Sequence, residues 1–372
     1  MKMHKIVITG GPCGGKTTAL SWLQNAFTLR GYKVIIVPET ATELISGGVA
    51  PWTCGTNLDY QKCQMALQLS KERIFEQGAR SMPDEKILLI CDRGALDNKA
   101  YMTAEEFAQV LSSLNLSEVA LRDSYDAVFH LVTAAKGVPE AYTLANNQAR
   151  YESPEDAVAL DDRIISSWTG HPHLRIIDNS KEFEDKMKWL LSEVASALGE
   201  AGSYEIERKY LIAYPDLKWL ESNPHCSRVE IYQTYLQDTD GTETRVRQRG
   251  LGGQWLYYET KKKPAGSSGV KRVEIERRLT QEEYLSLLMS ADTERRQIRK
   301  TRYCLTWNSR VYEIDVYPFW HSQAVCEVEL SHEDEEVLFP PELRVLREVT
   351  GVEAYRNAML SRHVPAEEGA AE

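Results

Sequence analysis

Residues 10–18 read GGPCGGKTT, and this stretch decides the fold of the first half of the chain. It fits the pattern GxxxxGKT, in which Gly10 comes first, Gly15 precedes Lys16 and Thr17 comes last. The apolar run KIVIT at residues 5–9 predicts a buried strand before it, and residues 18–30 have the spacing of an amphipathic helix after it. A strand, a glycine-rich turn and a helix are the context that this pattern requires.

Such a turn binds phosphate through its backbone. Glycines let successive N–H groups curl around phosphate oxygens, and the helix N-terminus adds partial positive charge. The Lys16 ammonium is expected to meet the β- and γ-phosphates and the Thr17 hydroxyl to hold Mg²⁺. The residues predicted to bind the nucleotide are Gly10, Gly11, Pro12, Cys13, Gly14, Gly15, Lys16, Thr17 and Thr18.

Strands and helices alternate after the phosphate loop. Apolar runs at residues 33–38, 86–91, 126–132 and 174–177 predict further strands, and residues 57–80, 103–114 and 181–198 predict helices. This alternation is typical of a doubly wound α/β domain with a parallel sheet.

Acidic residues follow three of these strands, at the edge where parallel sheets bind ligands: Glu39, Asp92 and Asp178. Asp92 closes an apolar strand, which favours a Mg²⁺ ligand; a helix cap or an ion pair with Arg93 is the alternative. Glu39 is either a base that orients an acceptor hydroxyl or a cap for the next helix.

Residues 136–170 lie between the last two strands and contain Arg150 and Arg163. Phosphoryl-transfer enzymes often use arginines on a mobile lid, whereas a helical hairpin with solvated charges would look similar. We expect a lid role for Arg150 and a solvated side chain for Arg163.

Composition narrows the class of protein. The chain has 372 residues, 42% of them hydrophobic, and a net charge of −11, which disfavours general nucleic-acid binding. No apolar run approaches the ~20 residues needed to span a bilayer, and no signal peptide precedes the first strand. Seven scattered cysteines without a CxxC pattern suggest reduced thiols and a cytoplasmic protein.

The second half has a different texture. A small, polar stretch at residues 199–203 predicts a linker, and beyond it charged residues recur at every second position. In a strand such residues share one face. The alternating groups are Arg245, Arg247 and Arg249; Lys261 and Lys263; Glu274 and Glu276; Lys300 and Arg302; Glu313 and Asp315; and Glu327 and Glu329.

A charged strand face usually means solvent. Here the signs are segregated, because some strands offer only carboxylates and others only Lys and Arg. We therefore predict an antiparallel barrel that closes with its charges inside and holds cations beside a polyanion.

Two family resemblances support this division. The stretches TGGPCGGKTT, VPETATELISGG and DRG resemble, over residues 4–198, the P-loop domain of bacterial NadR-type kinases and animal TRPL-translocation-defect proteins. That resemblance implies nucleotide binding. The candidate catalytic residues, chosen from their positions in the sequence, are Lys16, Asp92, Glu39 and Arg150.

Residues 203–362 resemble the CYTH family, the triphosphate tunnel metalloenzymes, whose ExExK signature stands here as Glu205, Glu207 and Lys209. The resemblance implies a barrel of about eight strands that binds Mg²⁺ or Mn²⁺ and a triphosphate. The implied metal ligands are Glu205, Glu207, Glu327 and Glu329, with Asp315 and Glu276 as second choices. The implied triphosphate ligands are Lys209, Arg245, Arg247, Lys261, Lys263, Lys300 and Arg302.

The sequence predicts a P-loop domain at residues 1–198, a linker at 199–203, a tunnel domain at 204–363 and a disordered tail at 364–372. Two functions remain open. One is an enzyme, an NTPase or kinase joined to a metal-dependent triphosphatase. The other is a GTP-binding regulator of membrane traffic whose barrel binds a phosphoinositide headgroup, because the domain order resembles the translocation-defect family. ATP and GTP are both candidate ligands.

Overall fold

The computed structural model describes residues 2–137, 153–200, 206–237, 242–265, 271–330 and 335–368, without the side chains of residues 262–265 and 271–275. The chain divides into two compact units: the first comprises Met1–Glu205 and Asn308–Val311, and the second comprises Ile206–Trp307 and Tyr312–Glu372. No helix in the described ranges is long and apolar enough to cross a membrane.

The described part of the first unit forms a five-stranded parallel sheet in the order β2-β3-β1-β4-β5. Its strands are β1 (Lys2–Gly10), β2 (Lys33–Val37), β3 (Lys86–Asp92), β4 (Ala127–Leu131) and β5 (Leu174–Ile177). Its helices are α1 (Lys16–Leu29), α2 (Thr40–Ser46), α3 (Asn57–Arg80), α4 (Ala104–Ser113), α5 (Glu118–Arg122), α6 (Pro154–Trp168) and α7 (Phe183–Ala197). The predicted doubly wound α/β architecture is confirmed.

Both faces of this sheet are covered. On β1, Ile6 and Ile8 pack with residues of α1 and α7, whereas Val7 packs on the other side with residues of α3, α4 and α6. All three side chains are fully buried. This explains why the strands read as continuous apolar runs, since a strand covered on both faces has no polar side.

The sheet edge that carries the phosphate loop is packed at backbone level. Gly10 has φ of 146°, and a Cβ there would lie 2.1 Å from the carbonyl oxygen of Leu131. Only glycine combines this dihedral angle with this close approach. The loop is thereby held against the end of β4.

Gly94, after β3, offers a test of this packing. A Cβ at Gly94 would lie 2.5 Å from the buried ring of Trp168, whereas a Cβ at Gly78 in α3 would meet nothing within 4 Å. We expect Gly94→Ala to lower the free energy of unfolding by about 1–3 kcal/mol through overpacking. Gly78→Ala, the control, should raise it by up to about 1 kcal/mol. Urea unfolding of the full chain measures both; equal midpoints would contradict the packing described here.

The described part of the second unit forms a nine-stranded antiparallel sheet in the order β10-β9-β8-β7-β11-β12-β13-β6-β14. Its strands are β6 (Ile206–Ala213), β7 (Cys226–Tyr235), β8 (Glu243–Leu251), β9 (Gln254–Ala265), β10 (Lys271–Leu279), β11 (Ile298–Trp307), β12 (Arg310–Val316), β13 (Gln323–Leu330) and β14 (Val345–Glu348). Its helices are α8 (Leu217–Ser222), α9 (Gln281–Leu288) and α10 (Asn357–Leu360). The expected antiparallel architecture is confirmed, with nine described strands where the resemblance implied about eight.

Two tight turns help to set the register of this sheet. Gly252 and Gly253, between β8 and β9, have φ of 60° and 83°, and Asn308 and Ser309, between β11 and β12, have φ of 48° and 57°. Two-residue turns with positive φ at both positions match the twist of antiparallel strands. The register matters because a slip of one residue would move every charged side chain to the other face.

The predicted tail needs correction. We expected residues 364–372 to be disordered, but residues 364–368 make specific contacts. Pro365 accepts a hydrogen bond from the Trp320 indole at 3.2 Å, and the Glu368 carboxylate pairs with Arg347 at 2.7 Å. Short segments rich in small and acidic residues can still be ordered when an aromatic and a basic side chain receive them. Residues 369–372 lie outside the described part of the chain.

The predicted linker at 199–203 is described only in part. Within it, the Glu200 carboxylate accepts from the Tyr32 hydroxyl at 2.6 Å and from Lys86 at 3.2 Å. Residues 199 and 200 therefore pack on the first unit, and residues 201–205 lie outside the described part.

Candidate phosphate-binding sites

The phosphate loop of the first unit is a tight turn between β1 and α1. Gly15 takes a left-handed conformation, φ 91°, immediately before α1, and Cys13 has φ of 57°. The Lys16 ammonium donates to the carbonyl oxygens of Gly10 and Gly11 at 2.9 and 3.0 Å. Thr17 is exposed in the first turn of α1. The lysine thus curls back over the loop.

Glu39 and Arg93 form an ion pair beside the loop. Arg93 donates through Nε to Glu39 and through Nη1 to Gly10 O at 3.4 Å, and the Thr42 hydroxyl donates to Glu39 at 2.6 Å. Although burial opposes ionisation, Arg93 and Thr42 help to lower the pKa of Glu39 to about 2. A carboxylate of such low pKa is a weak general base.

Neither sequence interpretation of Glu39 describes this arrangement. Glu39 occupies the residue before α2, but its side chain makes no capping hydrogen bond to that helix. Its contacts with Arg93 and Thr42 instead fix the guanidinium next to the phosphate loop.

Asp92 ends β3 close to Lys16. Arg93, the alternative partner that the sequence suggested, pairs with Glu39. Burial and repulsion from Glu39 raise the pKa of Asp92 to about 6, against the opposing effects of Lys16 and Arg93. The site therefore penalises the ionised form of Asp92. A hard divalent cation would relieve that penalty, so the donor chemistry fits the predicted Mg²⁺ ligand.

This penalty predicts a pH dependence of stability. The pKa of Asp92 is about 6 in the folded chain and about 3.9 when unfolded, so the folded state binds the proton more tightly. Asp92 therefore costs nothing below about pH 4, and its cost grows as the pH rises through 6. We expect Asp92→Asn to raise the free energy of unfolding by about 1–3 kcal/mol at pH 7.5 and to change it little at pH 4. Denaturant titrations at both pH values measure this; an equal effect at the two would refute the assignment.

The two arginines of the predicted lid have separate outcomes. Arg150 lies outside the described residues. Arg163, on α6, donates through Nε to the carbonyl oxygen of Ala100 at 3.0 Å. Arg163 is exposed, as the sequence suggested, and this hydrogen bond ties its guanidinium to the folded framework.

The second unit gathers most of the predicted charged residues on one face of its sheet, here called the charged face. The register pairs Lys209 with Glu327 and Glu327 with Glu313, and it places Arg245, Arg247 and Arg249 on that face through β7. The predicted residues found there are Lys209, Arg245, Arg247, Lys300 and Arg302, together with Glu207, Glu276, Asp315, Glu327 and Glu329.

One half of the charged face is a dense ion-pair network. Arg302 binds Asp315 through two hydrogen bonds of 2.7 Å, and it also contacts Glu313 and, at 2.8 Å, Glu327. Lys300 pairs with Asp315, and Lys209 lies 2.6 Å from Glu327. Asp315 is fully buried. Such groups are stable in the interior only because each charge has a partner.

The other half carries the arginines of β8. Arg247 contacts Glu276 at 2.9 Å through Nη2. Its guanidinium carbon also lies 5.5 Å from the centre of the Tyr258 ring. Burial and the like charges of Arg249 and Arg245 lower the pKa of Arg247 in spite of Glu276. The charge on Arg247 is thus penalised, and an anion bound here would be favourable.

The carboxylates of the charged face test the predicted metal site. Within the described residues, no three His, Cys, Asp or Glu side chains are grouped to hold a metal ion. Yet partial burial and repulsion from Glu327 and Glu313 raise the pKa of Glu207, opposed by Lys209. The hard oxygen donors therefore suit a divalent cation, while Lys209 and Arg302 now supply the positive charge. Glu205 lies outside the described part of the chain.

One predicted triphosphate ligand, Lys261, does not join this group. Lys261 lies opposite Thr244 and Ile275, on the reverse face of the sheet, and pairs with Glu259 at 3.1 Å. Lys263 follows on the same strand, and its side chain is not described. Spacing alone showed that the two lysines share a face but not which face.

Two residues of the charged face were missed as candidates, Arg249 and Glu313. Arg249 is almost fully buried next to Arg247, and Glu313 contacts Arg302. Both belong to the alternating charge pattern, which was the available signal.

Known families match both halves of the chain. Residues 5–186 match the family described as AAA domain, and residues 203–349 match the family described as CYTH domain. No curated protein gives a significant match.

Solved structures resemble part of the chain. The hypothetical protein NE1496 is 30% identical over 44% of this chain and 100% of its own, with a TM-score of 0.32. A structure entitled as the inorganic triphosphatase NE1496 is 28% identical over 44% of this chain and 97% of its own, with a TM-score of 0.31. The PH1012 protein from Pyrococcus horikoshii OT3 is 17% identical over 35% and 81%, with a TM-score of 0.25.

Proposed function

Because the chain carries an AAA domain followed by a CYTH domain, we propose that it binds a nucleoside triphosphate in the first and binds and hydrolyses a triphosphate in the second. The observation that carries the second part is the row of arginines on β8, where burial and like charge penalise Arg247. A ligand with several negative charges would relieve this penalty.

In the first unit, the phosphate loop is the proposed site for ATP or GTP. Its backbone N–H groups and the N-terminus of α1 would surround the phosphates, and Lys16 would leave the carbonyls of Gly10 and Gly11 to meet them. Asp92 and Thr17 are the proposed Mg²⁺ ligands. Arg93, held by Glu39, lies beside the loop and adds positive charge where a terminal phosphate would lie.

In the second unit, Arg245, Arg247, Lys300 and Arg302 are the proposed triphosphate ligands, joined by Arg249. The guanidinium groups of the arginines would bind phosphate oxygens in pairs, and these groups and the Lys300 ammonium would neutralise charge that develops during hydrolysis. Mg²⁺ or Mn²⁺, held by Glu205, Glu207, Glu327 and Glu329, would polarise the phosphoryl group. Asp315 and Glu276, the second choices as metal ligands, already balance Arg302 and Arg247.

A headgroup that bears several phosphates would suit the same arginines. The alternative is therefore a regulator that binds GTP in the first unit and a phosphoinositide in the second, without turnover. Both candidates need the charged face, and they differ in whether phosphate is released.

We expect different effects on triphosphate binding from substitutions of two basic residues on neighbouring strands. Arg247→Ala should weaken binding of tripolyphosphate to the full chain by about tenfold or more, because a buried charged partner is lost. Lys261→Ala, the matched control on the reverse face, should change it less than about twofold, as exposed ion pairs contribute little. Calorimetry with Mn²⁺ present measures both; equal losses would contradict the assignment of faces.

Phosphate release then separates the two candidate functions. The full chain is incubated with tripolyphosphate, ATP or GTP and with Mg²⁺, Mn²⁺ or EDTA. If phosphate is released from tripolyphosphate only when metal is present, and the Lys16→Ala variant still releases it, the result supports the hydrolase. Binding to vesicles with phosphoinositide, without release from any substrate, would replace it with the regulator.

A further inference from the structure

Asp161 lies in the middle of α6, and its carboxylate is fully buried. Oδ1 accepts the Gly11 N–H at 2.9 Å and the Thr133 N–H at 3.1 Å, and His130 Nε2 is 2.9 Å from the same oxygen. Oδ2 accepts from the Lys136 ammonium at 3.0 Å. One side chain of α6 therefore contacts the phosphate loop and the residues that follow β4.

The contact with the loop is tight. A Cβ at Gly11 would lie 2.6 Å from Asp161 Oδ1 and 3.1 Å from the Cβ of Thr133. The Thr133 hydroxyl donates to the carbonyl oxygen of Pro12 at 2.5 Å. Consecutive residues of the loop are thus fixed from outside, while Lys16 binds the carbonyls of Gly10 and Gly11.

A buried carboxylate is costly unless its oxygens are satisfied and its charge is balanced. Here backbone donors, His130 and Lys136 do both. Although burial opposes ionisation, His130 and Lys136 hold the pKa of Asp161 below its usual range. Asp161 is therefore an acceptor at neutral pH, which is what the Gly11 N–H requires.

We propose that Asp161 is a positioning residue for nucleotide binding, which fixes the Gly11 peptide so that the N–H groups after it face the phosphates. It also ties α6 to the loop, so that phosphate binding and the position of α6 are linked. The proposal rests on the proposed nucleotide site of the first unit. The physical reason is pre-organisation, since a loop held in its binding conformation loses less entropy when phosphate arrives.

Asp161→Asn tests this role, because an amide nitrogen would replace one of the two acceptor oxygens. Asp162→Asn is the matched control: Asp162 is the next residue, is 45% exposed and contacts Lys136 at 2.6 Å. We expect the Kd of the full chain for a fluorescent triphosphate analogue with Mg²⁺ to rise about tenfold or more in Asp161→Asn. Asp162→Asn should stay within about twofold.

A merely structural role would move a different quantity. It would lower the midpoint of thermal unfolding without nucleotide and leave the Kd of the folded protein unchanged. A folded Asp161→Asn variant with the wild-type Kd therefore overturns the inference. If the wild-type chain itself binds no nucleotide, the proposed function fails first, so the two failures are distinguishable.

If the Asp161→Asn variant does not fold, a measurement on the wild-type chain still tests the proposal. Hydrogen exchange is followed with and without the nucleotide analogue. We expect slower exchange in the peptide that holds Gly11 and also in the middle of α6. Protection of the loop without protection of α6 would overturn the proposed link.

Discussion

Buried charge is the constraint on which the second unit depends. Arg302 and Lys300 are stable inside the protein only because Asp315, Glu313 and Glu327 lie against them. The same balance is less complete around Arg247, where like charges lower the pKa. So many charges on one face cost stability, and such clusters are typical of sites for charged ligands.

In the first unit, backbone groups take the place of buried charged side chains at the proposed site. Its loop presents N–H dipoles in place of a row of cations, and glycines allow the chain to approach Leu131 and Asp161 closely. The buried carboxylate of Asp161 contacts this loop, and it accepts hydrogen bonds from Gly11 in the loop and from Thr133 and Lys136 after β4. In the proposed function the two units would thus bind phosphate by different physical means, and each can be tested by itself.

Much of this fold is predictable from periodicity. The apolar runs of β1 and β3 predict strands covered on both faces, and alternating charge predicts the strands of the second unit. Periodicity shows which residues share a face but not which face is buried, so Lys261 was grouped with Arg247. Long-range contacts left no local signal in the sequence. Arg93 pairs with Glu39 and not with its neighbour Asp92, and Asp161 accepts a hydrogen bond from Gly11, which is distant in sequence. The ordered contacts of Pro365 and Glu368 also depend on partners distant in sequence.

We propose that each unit holds its own phosphate site. Crystals of the full chain, soaked with Mn²⁺, tripolyphosphate and a non-hydrolysable nucleotide, test it most directly. The account predicts difference electron density for phosphate within the loop at residues 10–17 and, separately, against Arg247 and Lys300 on the charged face. Phosphate density beside Lys261 on the reverse face, with the charged face empty, would contradict it.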